Sequence, residues 1–307
     1  MTIPTTDLHL AAPGLAHGDD PVLLTPERAG WNHTGLRVLD CEAGTARVIE
    51  TGDDEMIVLP LSATDVRVSV GDETFRLDGR ESVFARVTDF LYVGRDTTFT
   101  IAVDRGGEVA LATSRCDNAL PPKYGSTDGV GVEVRGAGPA TRQVTNFASP
   151  DSWDHADKIM CVELLTPDGN WSSYPPHKHD DSPECEVNNE EIYYFRIGRA
   201  GTTDYTSDGF GMHRTYTGDG EIDANVAVRD GDVFLVPKGY HGPCIAAPGY
   251  DMYYLNVLAG PGGERSMAFC DDPAHHWVRD EWEGMPLDPR CPMATADGKT
   301  HAGGAHA

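Results

Sequence analysis

The sequence is short of positive charge, of long apolar runs and of closely paired cysteines. Its 24 Lys and Arg stand against 49 Asp and Glu, a formal net charge of −25. Such a surface repels phosphate backbones, so no nucleic-acid partner is expected. No apolar run approaches the ~20 residues a membrane-spanning helix needs, so no membrane partner is expected either. The opening residues, Met1-Thr2-Ile3-Pro4-Thr5-Thr6-Asp7, carry neither a basic segment nor an apolar core, and no secretion leader is read there. The seven cysteines are odd in number and contain no C-x-x-C pair. They read as reduced, structural thiols of a cytoplasmic protein.

What is plentiful is turn chemistry. The 34 glycines and 21 prolines separate short β-branched runs along 307 residues. That pattern predicts an all-β chain, long enough for two modest domains. Strand-like runs occupy residues 36–39, 46–50 and 55–61. A hairpin is expected over 66–77, where two alternating runs flank Gly71-Asp72-Glu73. Residues 82–87 and 98–103 complete a first β set. Residues 117–140, rich in Gly, Pro and Asp, read as a linker or crossover. A second set runs from 142 to 258.

The two sets look like a repeat. Residues 53–62 parallel 189–198, which sets Glu55 beside Glu191, and Ser82-Val83-Phe84 parallels Asp232-Val233-Phe234. The expected divisions are 1–140, without a metal motif, 141–294, with one, and a disordered tail at 295–307. His301 and His306 of that tail are not expected to be ligands.

The chemistry concentrates in Tyr174-Pro175-Pro176-His177-Lys178-His179-Asp180 and in the run that follows from Glu190 to Gly198. Residues two apart on a strand share a face, so His177 and His179 aim at one point. Glu191 opens the next strand-like run, and His241 follows the run 232–237. Three neutral imidazoles and one carboxylate make a ligand set for a divalent first-row metal.

This order of H-x-H, Glu-x6-Gly and a later His resembles the cupin superfamily, whose small double-stranded β-helix barrels carry a metal inside. Eleven residues separate His179 from Glu191, where most cupins have only a few. Glu184, Glu186 and Glu190 are therefore rivals for the carboxylate position. A longer loop accommodates the extra residues at small entropic cost. Longer strings extend the likeness. Thr25-Pro26-Glu27-Arg28-Ala29-Gly30-Trp31, Trp171 to Asp180, Tyr253-Tyr254-Leu255-Asn256-Val257 and Asp271-Asp272-Pro273-Ala274-His275 resemble the 5-deoxyglucuronate isomerases, bicupin enzymes of myo-inositol catabolism. The resemblance implies two cupin barrels in one chain. It also implies the conversion of 5-deoxy-D-glucuronate to 5-dehydro-2-deoxy-D-gluconate.

Such an isomerisation moves a proton between the carbons of an α-hydroxy aldehyde, and a bound cation makes that C–H bond acidic. Zinc or manganese is the first choice, with nickel and iron as alternatives. Candidates for the base are Glu190 and Tyr254, with Tyr194 further behind. Glu190 and Tyr194 share a drawback, since each lies an odd number of residues from Glu191 and should face the other way. The anionic substrate needs a local cation. Arg214 is the first candidate, ahead of Lys178 and Lys238. His213 reads as a strand surface residue. The expected partner is a small sugar acid, and a homo-oligomer is compatible with this reading. The rivals are a cupin dioxygenase, using the same ligands on iron, and a non-enzymatic sugar-binding bicupin.

Overall fold

The β-branched runs pair antiparallel into two barrels, each closed by two sheets. A computed structural model describes residues 2–181, 185–262 and 264–300. In the first barrel a four-stranded sheet runs in the order Ala46–Glu50, Thr98–Val103, Thr64–Val70, Glu73–Gly79. It faces a six-stranded sheet centred on Asp54–Pro60, Gly107–Arg115 and Thr34–Cys41. In the second barrel a seven-stranded sheet is centred on Glu190–Arg199, Tyr250–Ala259 and Met160–Thr166. Opposite it lies a six-stranded sheet built around Gly211–Tyr216 and Tyr240–Ala246. Among the described residues no helix is long and apolar enough to cross a membrane.

The two larger sheets stand back to back, which explains why their strands are apolar on both faces. On Asp54–Pro60, Ile57 and Leu59 join the core shared with the second barrel, whereas Met56 and Val58 join the first barrel's own core. The same split divides Val38 from Leu39 and Ala110 from Leu111. Truncating a residue such as Leu59, fully buried at the junction, costs about 2–5 kcal/mol.

Polar groups register the halves against each other. Glu55 accepts hydrogen bonds from three successive amides of the second half, Asp157, Lys158 and Ile159, at 2.8, 2.6 and 2.6 Å. Reciprocally, Glu190 accepts from the amides of Asn32, His33 and Thr34 at 2.8, 2.8 and 3.1 Å. Each receiving triplet leads into a central strand of the other barrel. Between them, the buried Arg80 guanidinium pairs with Glu163, which also accepts from the Tyr253 hydroxyl at 2.7 Å.

Chain order and barrel membership differ at two places, and a third stretch departs from expectation. His9–Leu10, near the N-terminus, pairs with Val233–Val236 of the second barrel. Gly131–Arg135, expected within a linker, forms the edge strand beside Arg142–Ala148. The stretch from 295, expected to be disordered, begins instead as a hairpin of Ala294–Thr295 with Gly298–Lys299. The Lys299 ammonium donates to the Thr202 carbonyl at 2.7 Å. His301 and His306 lie outside the described residues.

The expectation of uniformly reduced cysteines also needs correction. Cys185 and Cys270 form a disulfide, with Cα atoms 5.5 Å apart. Strand pairing sets Cys270 opposite Lys178, and the loop after His179 returns Cys185 to it. The thiols of Cys41, Cys116, Cys161 and Cys244 are free and buried, and that of Cys291 is partly so.

Candidate metal centre

Strand register brings the ligand candidates together. His177 lies directly opposite His241 across the antiparallel pair of His177–Lys178 with Tyr240–Ala246. Their ring centroids are 4.5 Å apart, and those of His179 and His241 are 4.8 Å apart. Gly242, at φ 96°, permits a close approach here, since a Cβ would collide with the Ser173 carbonyl. Glu191 reaches in from the facing sheet. His179 Nε2 is 3.0 Å and His241 Nε2 is 3.2 Å from its Oε2. Ligand atoms of His179, Glu191 and His241 all lie within 4.8 Å of one another, with all three residues buried. His177 stands at the edge of this cluster.

The proton positions show what the cluster lacks. Each imidazole has Nδ1 against a backbone carbonyl: His177 to Pro175 at 3.1 Å, His179 to Asn189 at 3.0 Å, His241 to Gly239 at 3.2 Å. With Nδ1–H donating, Nε2 carries a lone pair and points inward. Buried His241 Nε2 has no hydrogen-bond partner. Two Nε2 lone pairs therefore face a carboxylate oxygen, acceptor against acceptor, unless a cation lies between them. The donor set fits a divalent metal.

Electrostatics agree. Burial, reinforced by His241, pushes the His177 imidazole down to about 3, so it is neutral at pH 7. Burial alone would raise Glu191, but the adjacent His179 and His241 imidazoles outweigh it and hold the carboxyl well below its usual range. For His179, burial is likewise outweighed by the Glu191 contact, and its pKa is raised. The Asn256 amide donates to Glu191 Oε1 and orients the carboxylate.

The cluster opens into a cavity of about 680 Å³, within the range of small-molecule sites. His177, His179, Glu191, Asn256, Ser173 and Tyr193 border it. The Tyr193 and Tyr254 rings stack at 5.0 Å, and both hydroxyls reach Ser173 Oγ, at 3.2 and 2.9 Å. Burial raises both phenols well above their ordinary value and keeps them protonated.

Other candidates fall elsewhere. Glu190 faces the first barrel, away from Glu191, because neighbours on a strand point to opposite faces. Tyr254 does not border the cavity; it stands behind Ser173 and Tyr193, which do. Arg214 lies outside the cavity, over the Tyr216 ring at 4.1 Å, because the flanking His213 and Thr215 occupy the buried face of that strand. Lys178 binds Asp180 and Glu186 at 2.7 and 2.8 Å, which also occupies Glu186 as a rival carboxylate. Lys238 pairs with Glu221 at 2.6 Å, and Glu184 lies outside the described residues. His213 is a core residue, not a surface one, bonded to Cys244 Sγ at 3.0 Å and Thr215 Oγ1 at 2.9 Å. Asn256 had escaped sequence reasoning. A polar residue in the apolar run 252–258 was the available signal, since a buried amide needs a partner.

Comparison with known proteins agrees with this architecture. The sequence model of the KduI/IolB family matches residues 10–278. The 5-deoxy-glucuronate isomerase of Geobacillus kaustophilus is 40% identical over 262 residues, covering 84% of this chain and 90% of that protein. The 5-deoxy-glucuronate isomerase of Bacillus subtilis strain 168 is 37% identical over 258 residues, covering 83% and 91%. Among solved structures, an IolB-like protein from Salmonella typhimurium LT2 superposes with a TM-score of 0.79 at 32% identity, covering 88% of this chain and 98% of that one. Lactobacillus farciminis oxalate decarboxylase, 11% identical, shares the fold at a TM-score of 0.62 over 88% of this chain and 89% of that one. The chain belongs to the KduI/IolB family.

Proposed function

We infer that this chain is an enzyme, an aldose–ketose isomerase that converts 5-deoxy-D-glucuronate to 5-dehydro-2-deoxy-D-gluconate in myo-inositol degradation. The observation that carries the reading is the meeting of His179, Glu191 and His241 beside a sugar-sized cavity that His179 and Glu191 line, in a chain of this family. His177, His179, Glu191 and His241 are the residues that would hold the metal, with zinc or manganese ahead of nickel and iron. A divalent ion there supplies Lewis acidity toward the carbonyl and hydroxyl oxygens of the sugar.

The chain's own groups do the rest. Asn256 fixes the orientation of Glu191, and three backbone carbonyls fix the imidazole tautomers. Tyr193, protonated and bordering the cavity, donates toward a substrate oxygen as negative charge grows on it. Tyr254 acts behind it through Ser173, holding that hydroxyl in place. Glu190 serves the junction of the barrels instead of the proton transfer. The enzyme works in the cytoplasm in this reading.

The test is turnover without oxygen. Purified, metal-replete protein is incubated anaerobically with 5-deoxy-D-glucuronate in D₂O and followed by NMR. The expected result is loss of the aldose and growth of the 2-ketose at an unchanged rate. A product that forms only in air would replace the isomerase with an oxygenase. No conversion of bound substrate would leave a sugar-acid binder.

A further inference from the structure

The cavity that holds the ligand cluster also holds an arginine with nothing to neutralise it. Arg142 opens the strand Arg142–Ala148 and is 7% exposed. Arg142 borders the same cavity as His177, His179 and Glu191. Nη1 donates to the Ala140 carbonyl at 3.2 Å, and Nε is buried without a hydrogen-bond partner. Among the described residues no carboxylate pairs with it. The nearest aromatic face is Trp282, 5.9 Å from its Cζ. A buried, unpaired cation costs several kcal/mol and persists where something offsets it.

Its surroundings sharpen the anomaly. Arg135 stands directly opposite Arg142 in the strand register and borders the same cavity. Like charges across a strand pair destabilise each other. Arg279, a third guanidinium on the cavity, is already held by both oxygens of Asp271 at 2.5 and 2.7 Å. Arg135 binds Glu133 at 2.7 Å at the exposed rim. Arg265, also on the cavity, commits all three of its nitrogens to the backbone carbonyls of Ile159, Trp153 and Ala148, which leaves Arg142 as the buried guanidinium with donors to spare. Gly136 is needed for its φ of 78° and for the Ala140 carbonyl, which a Cβ would meet at 2.1 Å, and Arg142 Nη1 packs against the same side of it. In a protein of net charge −25, a basic corner inside a cavity selects for an anion.

We propose that Arg142 is the specificity residue that receives the carboxylate of the sugar acid, a role that rests on the isomerase reading above. The substrate then lies with its carbonyl end at the His/Glu cluster and its carboxylate on Arg142. Binding offsets the cost of the unpaired cation, so uronates are favoured over neutral sugars of the same length.

The test compares two substrates with the same reacting carbons, 5-deoxy-D-glucuronate and neutral 5-deoxy-D-glucose. In Arg142→Gln, KM for the acid rises by about 100-fold while kcat falls less than about 5-fold, because the lost contact is one of binding. For the neutral sugar, kcat/KM stays within about 3-fold of wild type, since it never used the guanidinium. Added guanidinium ion restores part of the acid activity of Arg142→Ala. Equal loss on both substrates, or an unchanged KM for the acid, overturns the proposal. Should wild type turn over neither sugar, the isomerase reading falls, and calorimetric titration with D-glucuronate decides Arg142 alone. Affinity weakened at least about 10-fold in Arg142→Gln, with D-glucose binding unchanged, upholds it; equal affinity overturns it. If Arg142→Gln does not fold, Arg142→Lys, which keeps the charge but loses the fork, takes its place in both assays.

Discussion

The two barrels share a plan and differ by one step along a strand. In the first, Glu55 lies opposite Ser114, which lies opposite Thr34. In the second, Glu190 lies opposite Ala259, one place beyond the pairing of Leu258 with Met160. Glu55 and Glu190 therefore occupy equivalent positions, and each grips three amides of the other half. The equivalent of Glu191 is Met56, which packs in the first barrel's own core. Pairing Glu55 with Glu191, as the sequence repeat suggested, is off by one residue. On a strand that is the difference between facing the partner barrel and facing the interior. Both barrels keep the carboxylate that joins them, and only the second adds, next to it, the carboxylate that faces the histidines.

This contrast can be broken most sharply at the ligands. His241→Ala should lower turnover by more than about 100-fold and deplete bound metal, since losing even a partner of a ligand costs 10–100-fold. Met56→Glu, at the matching place in the first barrel, should leave the metal content of the protein unchanged. Metal analysis beside kinetics checks both, and metal retained fully in His241→Ala would dissolve the proposed centre. Next in size, Asn256→Ala frees the Glu191 carboxylate to rotate and should cost about 10–100-fold in activity or metal affinity.

A smaller effect on turnover is expected at the clamps. Glu55→Gln and Glu190→Gln each weaken hydrogen bonds to a charged acceptor and should destabilise the fold by about 3 kcal/mol. Urea unfolding measures this, and kcat of folded Glu190→Gln should stay within about 5-fold of wild type. A Glu190→Gln protein of full stability and no turnover would return that residue to the role of base.

The slightest contrast lies in acid sensitivity. The buried histidines among the described residues, His179, His213 and His241, all belong to the second barrel. Burial, with His241 adding to it, pushes His213 down to about 3. Its unfolded form takes up a proton near pH 6.5, so the unfolded state binds more protons below that value. Stability should fall as pH drops from about 6.5 toward 3, at up to ~1.4 kcal/mol per unit for this one group. His213→Gln should flatten the slope by about one proton in denaturation at pH 4–7. An unchanged slope would mean that His213 does not titrate on unfolding.

Much of this was legible in the sequence because it is periodic. Alternation over 46–50 and 66–70, and Gly71 at φ 57° between Val70 and Glu73, fix a strand and a hairpin locally. The spacing of His177 and His179 fixes their common face in the same way. Arg142 was not legible, because an arginine at a strand start looks the same whether it meets solvent or a cavity. Arg214 misled for the same reason: nothing in Met212-His213-Arg214-Thr215 says which alternate residues are inside until the facing sheet is present. The disulfide joins residues 85 apart, and only the pairing of Lys178 with Cys270 brings them together.

The sequence by itself determined most of the strands and the candidate ligand residues of the second half, since these depend on neighbours within a few residues. Tertiary structure alone decided the phase of each strand. It set which carboxylate faces the histidines, which joins the barrels, and which guanidinium lies unpaired in the cavity. A strand has two faces, and only the surface packed against it determines which one becomes the interior.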